Sequence, residues 1–584
     1  MTRLPVPIRW DHALGAILLV ALFVRLLGIT YGLPAVYNPD ETPILNRALA
    51  LAKGDPRPQN YVYPSLFFYL QFIWQGLFFV AGWLIGVFAS VDEFQRAFFL
   101  DPSRHFLAGR IFSVLCGLIT VLAVYVLGCR LYDRATGVTA AAVLAVAPIA
   151  SRDAHYVKLD VPTAMFVALA HAALARLLVD ARAAPDRRAW IVAGFLSGLA
   201  VSTQYYAIFL GFTMVAVAIA DVQRSGSWRT TGALFVWSTL AAAVGFFVGT
   251  PFLIFDLQRA IADIAHVREV DVDRAMVGGS FASVVPYLRI LLWDAVGWPI
   301  GIAAVVGAVW AFVTDWRRGL FLVSFFVPFF LFIANTVPMS RYLNVVLPLI
   351  AVAAAYALTR LTSLPWYQRT LRVPAFMVIL ALIPALMISV KTDLFIREAD
   401  TRTLAGEFIT ANIPAGTSLL VQPYGPPLRQ SRQALIEGLR ANLGNEARAS
   451  TKFQLMLALE PYPQPSYRLV YLGDTGLDTD RIYVLPAEFS STTGLEPLRR
   501  RGIEYVVLKQ TNVPNPEIAG LEAALRAGAH RIAEFSPYRA TASPEDRLRV
   551  PPFLHNTSAV RHSALERPGP IVEIWKLNEV HSTR

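Results

Sequence analysis

Apolar residues in this chain gather into long continuous runs. They do not alternate as in half-buried strands. Eleven stretches are dominated by Leu, Val, Ala, Ile and Phe: 12–30, 106–127, 135–150, 162–180, 189–204, 205–221, 231–250, 295–313, 320–334, 343–358 and 373–390. A helix needs roughly 20 apolar residues to cross a bilayer, so the pattern predicts a polytopic α-helical membrane protein with about eleven transmembrane helices. The polar interruptions sort by charge. Arg3/Arg9, Arg130/Arg134, Arg182/Arg187/Arg188, Arg224/Arg229, Arg317/Arg318 and Arg360/Arg369/Arg372 fall in alternate loops, and cytoplasmic loops collect Arg and Lys. Placed inside, they put the N-terminus in the cytoplasm. The stretches 31–61, 151–161, 251–283, 335–342 and everything after about Lys391 then face out.

A further apolar stretch, Pro64–Ser90, breaks this alternation if it crosses. A crossing would carry Arg130 and Arg134 outside and put 151–161 on the opposite face from Asp40. The stretch follows Tyr63 and contains Gly82 and Gly86. The alternation therefore predicts a re-entrant or interfacial segment.

Beyond Lys391 the apolar runs shorten, and Pro, Gly and charge rise. "TRTLAGEFITANIPAGTSLLVQP" predicts an amphipathic helix, a turn and a strand. "LRRRGIEYVVLKQ" predicts a helix end and a buried strand, and "GPIVEIWKL" a late strand. Strands alternating with helices indicate an α/β unit. The chain divides into a membrane domain, 1–390, and an extracytoplasmic soluble α/β domain, 391–584.

Composition agrees: 55% of the 584 residues are hydrophobic and 16% charged. The net charge of +11 does not indicate a nucleic-acid partner, because the excess Arg lies in loops between apolar runs. Cys116 and Cys129 lie in and just beside one run, about 20 Å apart along a helix, too far for a disulfide. The chain has no Walker sequence and no His/Cys set with zinc spacing. The preference for Arg over Lys points to a GC-rich bacterial genome, hence a bacterial inner membrane.

Polar chemistry concentrates in the loops assigned to the outer face. "YNPDETPIL" places Asp40 and Glu41 at the rim of the first helix. Asp40 could simply cap a helix from Thr42 to Leu51, with Pro43 early in it. Facing a cavity, it could instead act as a general base within hydrogen-bond reach of a hydroxyl. "SRDAHYVKLDVPTAMF" packs Arg152, Asp153, His155, Lys158 and Asp160 into nine positions between two apolar runs. Lys and Arg are natural phosphate partners, whereas Asp160 could also cap the helix that Pro162 begins. Arg341 and Tyr342 open a later run, as an interfacial anchor or as ligands. The loop 257–283, with His266, Arg268, Glu269, Asp271, Asp273 and Arg274, reads as a solvated lid.

These features resemble the GT-C glycosyltransferases. The acidic pair Asp40-Glu41 in the first outer loop is similar to that family's Asp-Glu motif. So is the His155-Tyr156-x-x-x-Asp160-x-Pro162 loop. "RYLNVVLPLIAVAAAYAL" and "AGEFITANIPAGT" add to the likeness, which is strongest over 1–220 and 335–420. The closest pattern is that of family 39-like enzymes, which include protein O-mannosyltransferases and lipid A aminoarabinose transferases.

The resemblance implies an enzyme that moves a sugar from a polyprenyl-phosphate carrier to a glycolipid, polysaccharide or protein acceptor on the outer face, with inversion. It implies Asp40 as catalytic base, Glu41 as its companion and Asp160 as the second-loop acid. Lys158 and Arg341, with His155, hold the lipid phosphate, and Arg152, Asp153, Tyr61, Tyr63 and Tyr342 complete the substrate site. The family's Lys-Pro-Pro is replaced by Tyr63-Pro64, which removes one basic ligand. No cofactor is required; a divalent metal is admitted but not demanded. The competing reading is a transporter or flippase of lipid-linked precursors, although the chain lacks the repeated halves such proteins often carry.

Overall fold

The structure is a computed structural model that describes residues 12–58, 60–179, 186–273, 279–362, 373–473, 478–490, 492–512, 514–554 and 564–579. Arg3, Arg9, Arg182, Arg274, Arg369 and Arg372 lie outside the described residues.

Every one of the eleven apolar runs is occupied by helix. The first part of the membrane domain is built from α1 (His12–Leu26), α2 (Glu41–Ala50), α3 (Leu66–Leu84), α4 (Val91–Leu100), α5 (Ser103–Leu131), α6 (Arg134–Ala145), α7 (Pro148–Asp153), α8 (Asp160–Val179), α9 (Arg187–Val201), α10 (Leu210–Ser225), α11 (Trp228–Gly249) and α12 (Leu257–Arg268). It continues through α13 (Val284–Arg289), α14 (Trp298–Thr314), α15 (Trp316–Ser324), α16 (Phe326–Ile333), α17 (Leu347–Thr362) and α18 (Val373–Phe395). Among the described residues seven helices are long and apolar enough to cross a membrane, and His12–Leu26, Arg134–Ala145 and Leu347–Leu361 are shorter apolar helices. Val284–Ala295 and Trp298–Thr314 form a further, broken pair bent by 113°, at Gly297, whose φ of 78° suits a residue without a side chain. The protein is a multi-pass membrane protein.

Helices in lipid gain little from hiding apolar surface from one another, so close approach through small residues matters more. The α9–α11 contact shows this. Gly194 and Gly198 lie one turn apart on α9. A Cβ at Gly194 would sit 1.9 Å from the Ser238 carbonyl oxygen, and one at Gly198 2.0 Å from that of Ala242. From the other side, a Cβ at Gly245 would meet the Phe195 carbonyl at 2.3 Å.

The segment Pro64–Ser90 contains α3, which by length and composition could span a bilayer. Its contacts lead elsewhere. Ser65 Oγ donates to Gly249 O (3.0 Å) at the end of α11. Gln71 Nε2 then donates to Gly109 O (3.3 Å) and Gln75 Nε2 to His105 O (2.9 Å). This register carries α3 toward the first turns of α5 and past them, not down its length. Because Glu41 and Arg110 are bonded to each other, the whole excursion from α2 to α5 starts and ends on one face of the bundle.

After α18 the chain forms α19 (Thr401–Asn412) and a six-stranded sheet: β1 (Ser418–Val421), β2 (Arg468–Leu472), β3 (Ile482–Val484), β4 (Tyr505–Gln510), β5 (Ala529–Phe535) and β6 (Ile571–Leu577), in the order β3-β2-β1-β4-β6-β5. The pairs β1–β2, β1–β4 and β2–β3 are parallel; β6 runs antiparallel between β4 and β5. The central strands read "SLLV" and "YVVLKQ" because both sheet faces are covered. Leu420, Val506 and Leu508 join one core, and Leu419, Val421 and Val507 the other.

This domain docks on the loop after α1. Tyr31, Tyr37 and Tyr156 pack with Phe395, Ile396, Tyr538 and Phe553 in one apolar cluster. Tyr31 OH donates to Asp400 Oδ2 at 3.2 Å, and Tyr37 OH shares a 2.7 Å hydrogen bond with Thr403 Oγ1. Arg402, paired with Asp400, lies 3.8 Å over the Tyr37 ring.

Candidate functional site

Asn38-Pro39 turns the chain into α2. Asp40 N donates to Asn38 Oδ1 (3.1 Å), and Glu41 N to Asn38 O (3.2 Å). Asp40 occupies the N-cap position of α2, but its side chain makes no capping bond. It turns instead toward two cations: Lys158 Nζ stands 3.0 Å from Oδ2 and Arg341 Nη1 2.8 Å from the same atom. Lys158 comes from the loop between α7 and α8. Arg341 comes from a 3-10 turn, Ser340–Val345, ahead of α17. The Asp40 side chain keeps 28% of its exposure, against 4% for Lys158 and 15% for Arg341, so the carboxylate is the part of the triad that solvent or substrate reaches.

Asp160 opens α8 behind this triad. It is buried, and its Oδ1 has no hydrogen-bond partner. Burial opposes the Arg341 charge, but the Asp40 and Asp160 carboxylates outweigh it and raise the guanidinium pKa. Tyr63 and Tyr342 lie close enough to act electrostatically on Arg341. The Tyr342 ring packs edge-on against Tyr206, centroids 5.9 Å apart, and the Tyr206 hydroxyl is buried without a partner.

The other candidate residues are placed differently. Glu41 is fully buried and bidentate to Arg110: Nε–Oε1 is 2.9 Å and Nη2–Oε2 2.8 Å. Val157 N also donates to Oε1 (2.8 Å), and Arg110 Nη1 donates to Ile29 O and Tyr31 O. Glu41 thus ties the first loop to the 154–159 loop and to α5.

Arg152 pairs with its neighbour Asp153 and donates to Ser340 Oγ at 3.0 Å. Asp153 Oδ2 accepts from Asn344 Nδ2 at 2.6 Å. Those two residues brace the turn that presents Arg341. His155 is buried, with Nε2 2.7 Å from Leu27 O and Nδ1 3.1 Å from Arg152 O. Tyr61 N donates to Asp263 Oδ2 (2.8 Å) and its hydroxyl to Asp256 Oδ2 (3.4 Å), which links the first loop to α12. The segment read as a solvated lid therefore includes a helix with an anchored acidic face. Its His266, Arg268, Glu269 and Asp273 are exposed.

Sequence reasoning missed Arg110, Asn344 and Tyr206. Arg110 had a usable signal, being a charge inside an apolar run. Asn344 and Tyr206 had none beyond polarity near a helix end. Among the described residues no three His, Cys, Asp or Glu side chains gather as a metal site.

A helical membrane bundle with an acidic–basic rim at one end and an α/β domain docked over that end is the GT-C architecture, and this chain has that fold. Residues 79–255 match the family described as "Dolichyl-phosphate-mannose-protein mannosyltransferase". The archaeal oligosaccharyltransferase AglB from Archaeoglobus fulgidus, solved with an inhibitory peptide and a dolichol-phosphate, is similar in structure with a TM-score of 0.50. It is 13% identical, and the match covers 97% of this chain and 88% of that one. ArnT from Cupriavidus metallidurans in the apo state also gives a TM-score of 0.50, at 14% identity over 85% of this chain and 92% of its own. No curated protein matches the sequence.

Proposed function

We propose that this protein is a glycosyltransferase that moves a sugar from a polyprenyl-phosphate carrier to an acceptor hydroxyl. The observation that carries this reading is the convergence of Asp40, Lys158 and Arg341, from three distant segments, on one partly open carboxylate. The family matched by residues 79–255 and the dolichol-phosphate bound to AglB support it. The membrane is a bacterial inner membrane, with the rim and the α/β domain on its extracytoplasmic face and the Arg-rich loops in the cytoplasm.

The triad fits this chemistry in a defined order. Without donor, Asp40 is held by two cations and is a weak base. A lipid phosphodiester competes with Asp40 for the Lys158 and Arg341 hydrogen bonds, since both cations suit phosphate as well as carboxylate. Its arrival draws both cations from Asp40 and leaves the carboxylate more basic, beside the incoming acceptor. The acceptor oxygen then attacks the anomeric carbon, its proton passes to Asp40, and the bond from that carbon to the phosphate oxygen breaks with inversion. The negative charge growing on the leaving monophosphate is met by Lys158 and Arg341, the electrostatic term that usually dominates such steps. Two cations balance a monophosphate, so this mechanism needs no metal. Asp160, with one unpaired oxygen behind the triad, favours the charged form of Arg341.

A flippase would place its polar groups near the bilayer midplane; here they collect at one end. The test is sugar release from a panel of polyprenyl-phosphate monosaccharides by the purified full chain, wild type against Asp40→Asn. One donor should turn over, and the variant should bind it without turnover. An unimpaired variant, or no turnover of any donor, would overturn the assignment.

A further inference from the structure

At the end of the bundle away from the rim, α5, α8 and α9 leave a groove of about 820 Å³. Its walls are apolar: Leu122 and Val126 from α5, Leu169 from α8 and Val192 from α9. Val192 and Ile119, which also lines it, are 51% and 40% exposed, so the groove opens sideways where acyl chains would lie. Among the described residues its mouth carries Arg130, Arg176, Arg188 and one carboxylate, Asp186, which is paired with Arg176 at 2.9 Å. Arg130 donates to the Ala172 carbonyl. These four side chains leave two positive charges in excess. Along α5, Arg130 lies twenty residues from Arg110, about 30 Å at 1.5 Å per residue, so this place is separate from the acidic–basic rim.

We propose that the groove binds an anionic phospholipid of the leaflet opposite the rim. Arg130, Arg176 and Arg188 hold the phosphate, and an acyl chain lies against Leu122, Val126, Leu169 and Val192. Charge complementarity selects this occupant: a zwitterionic headgroup would leave the excess cations unmatched, and the apolar walls exclude a free soluble anion. Each basic residue beside an anionic leaflet contributes roughly fivefold in binding, and a pocket of a few hundred Å³ or more suffices for a lipid-like ligand. The inference stands whether or not the rim transfers a sugar.

The experiment is native mass spectrometry of the purified full chain exchanged into mixed phosphatidylglycerol and phosphatidylcholine. Wild type should retain phosphatidylglycerol preferentially. Arg130→Gln/Arg188→Gln, which keeps the Arg176–Asp186 pair, should lower that preference by roughly 25-fold. Arg229→Gln/Arg317→Gln, two arginines of the same face outside the groove, should leave it unchanged. Val192→Trp fills the groove without changing charge and should also reduce retention; it keeps the test valid if the arginine variant misfolds. Equal retention of the two lipids by wild type overturns the proposal. So does an equal loss in the Arg229/Arg317 variant, or retention of a polyprenyl phosphate in place of the phospholipid.

Discussion

Two carboxylates adjacent in sequence should behave oppositely when removed. Glu41 is fully buried, receives two charge-assisted bonds from Arg110 and one from Val157 N, and faces no solvent. Glu41→Ala strips the charge partner from a guanidinium that is itself fully buried, and leaves its Nε and Nη2 hydrogens unmatched. Breaking one side of a buried pair costs about 3–5 kcal/mol, which is roughly two to four powers of ten in the folded-to-unfolded ratio. Glu41→Gln keeps an acceptor for Val157 N and should lose less. Asp40 keeps more than a quarter of its exposure although Lys158 and Arg341 are largely buried; Asp40→Asn leaves a carbonyl acceptor for both cations in a site that solvent reaches, and so costs less than stripping Glu41 from a fully buried pair. Asp40→Asn should therefore fold normally and fail only in turnover. Both variants can be followed by denaturant unfolding in mixed micelles alongside donor turnover. If Glu41→Ala were as stable as wild type, or Asp40→Asn unfolded with it, the division of labour drawn from these contacts would be wrong.

Arg341→Ala and Lys158→Met should each raise the KM for donor by roughly ten- to a hundred-fold, since a charge-assisted hydrogen bond contributes about 1.5–3 kcal/mol; an effect on kcat alone would argue against phosphate binding. EDTA should leave turnover intact, and loss restored by added Mg²⁺ or Mn²⁺ would show that Lys158 and Arg341 do not suffice. Gly198→Leu should abolish folding, since even a Cβ there falls 2.0 Å from Ala242 O, whereas Gly211→Ala, with nothing within 4 Å, should be silent in thermal unfolding. In the α/β domain burial, helped by Arg402, pushes the Lys509 pKa down from 10.5 to about 8. The folded state then resists a proton that the unfolded chain accepts, so stability should rise as pH climbs from 8 to 10.5. Lys509→Met should be more stable than wild type at pH 7 and lose that advantage by pH 10.5; a constant difference across that range would contradict the shift.

The helices were legible because a bilayer demands long apolar runs, and those runs survive any tertiary arrangement. That the excursion through α3 begins and ends on one face was legible only indirectly, through the loop charges on either side; the composition of α3, "LFFYLQFIWQGLFFVAGWL", is that of a helix able to cross. The rim was half legible. Asp40, Lys158 and Arg341 could be picked out as ionisable groups beside apolar runs, but no local pattern says that they meet. Arg152, Asp153 and His155 gave the same signal, yet their polar atoms are spent on Ser340, Asn344, Leu27 O and one another. Density of charge in a loop marks a place that matters; it does not separate groups that face a ligand from groups that hold the loop in shape.

The polar clamp between the first loop and the last third of the chain bears on how the protein is made. Tyr31 and Tyr37 leave the ribosome well before their partners Asp400, Arg402 and Thr403, which emerge more than 360 residues later. The membrane helices can insert one after another, but the loop that carries Asp40 stays without its roof until the α/β domain has emerged. A chain stopped near residue 390 would still be an integrated membrane protein. Its rim would be unfinished, and quality-control proteases reading that exposed loop would see the difference before any substrate did.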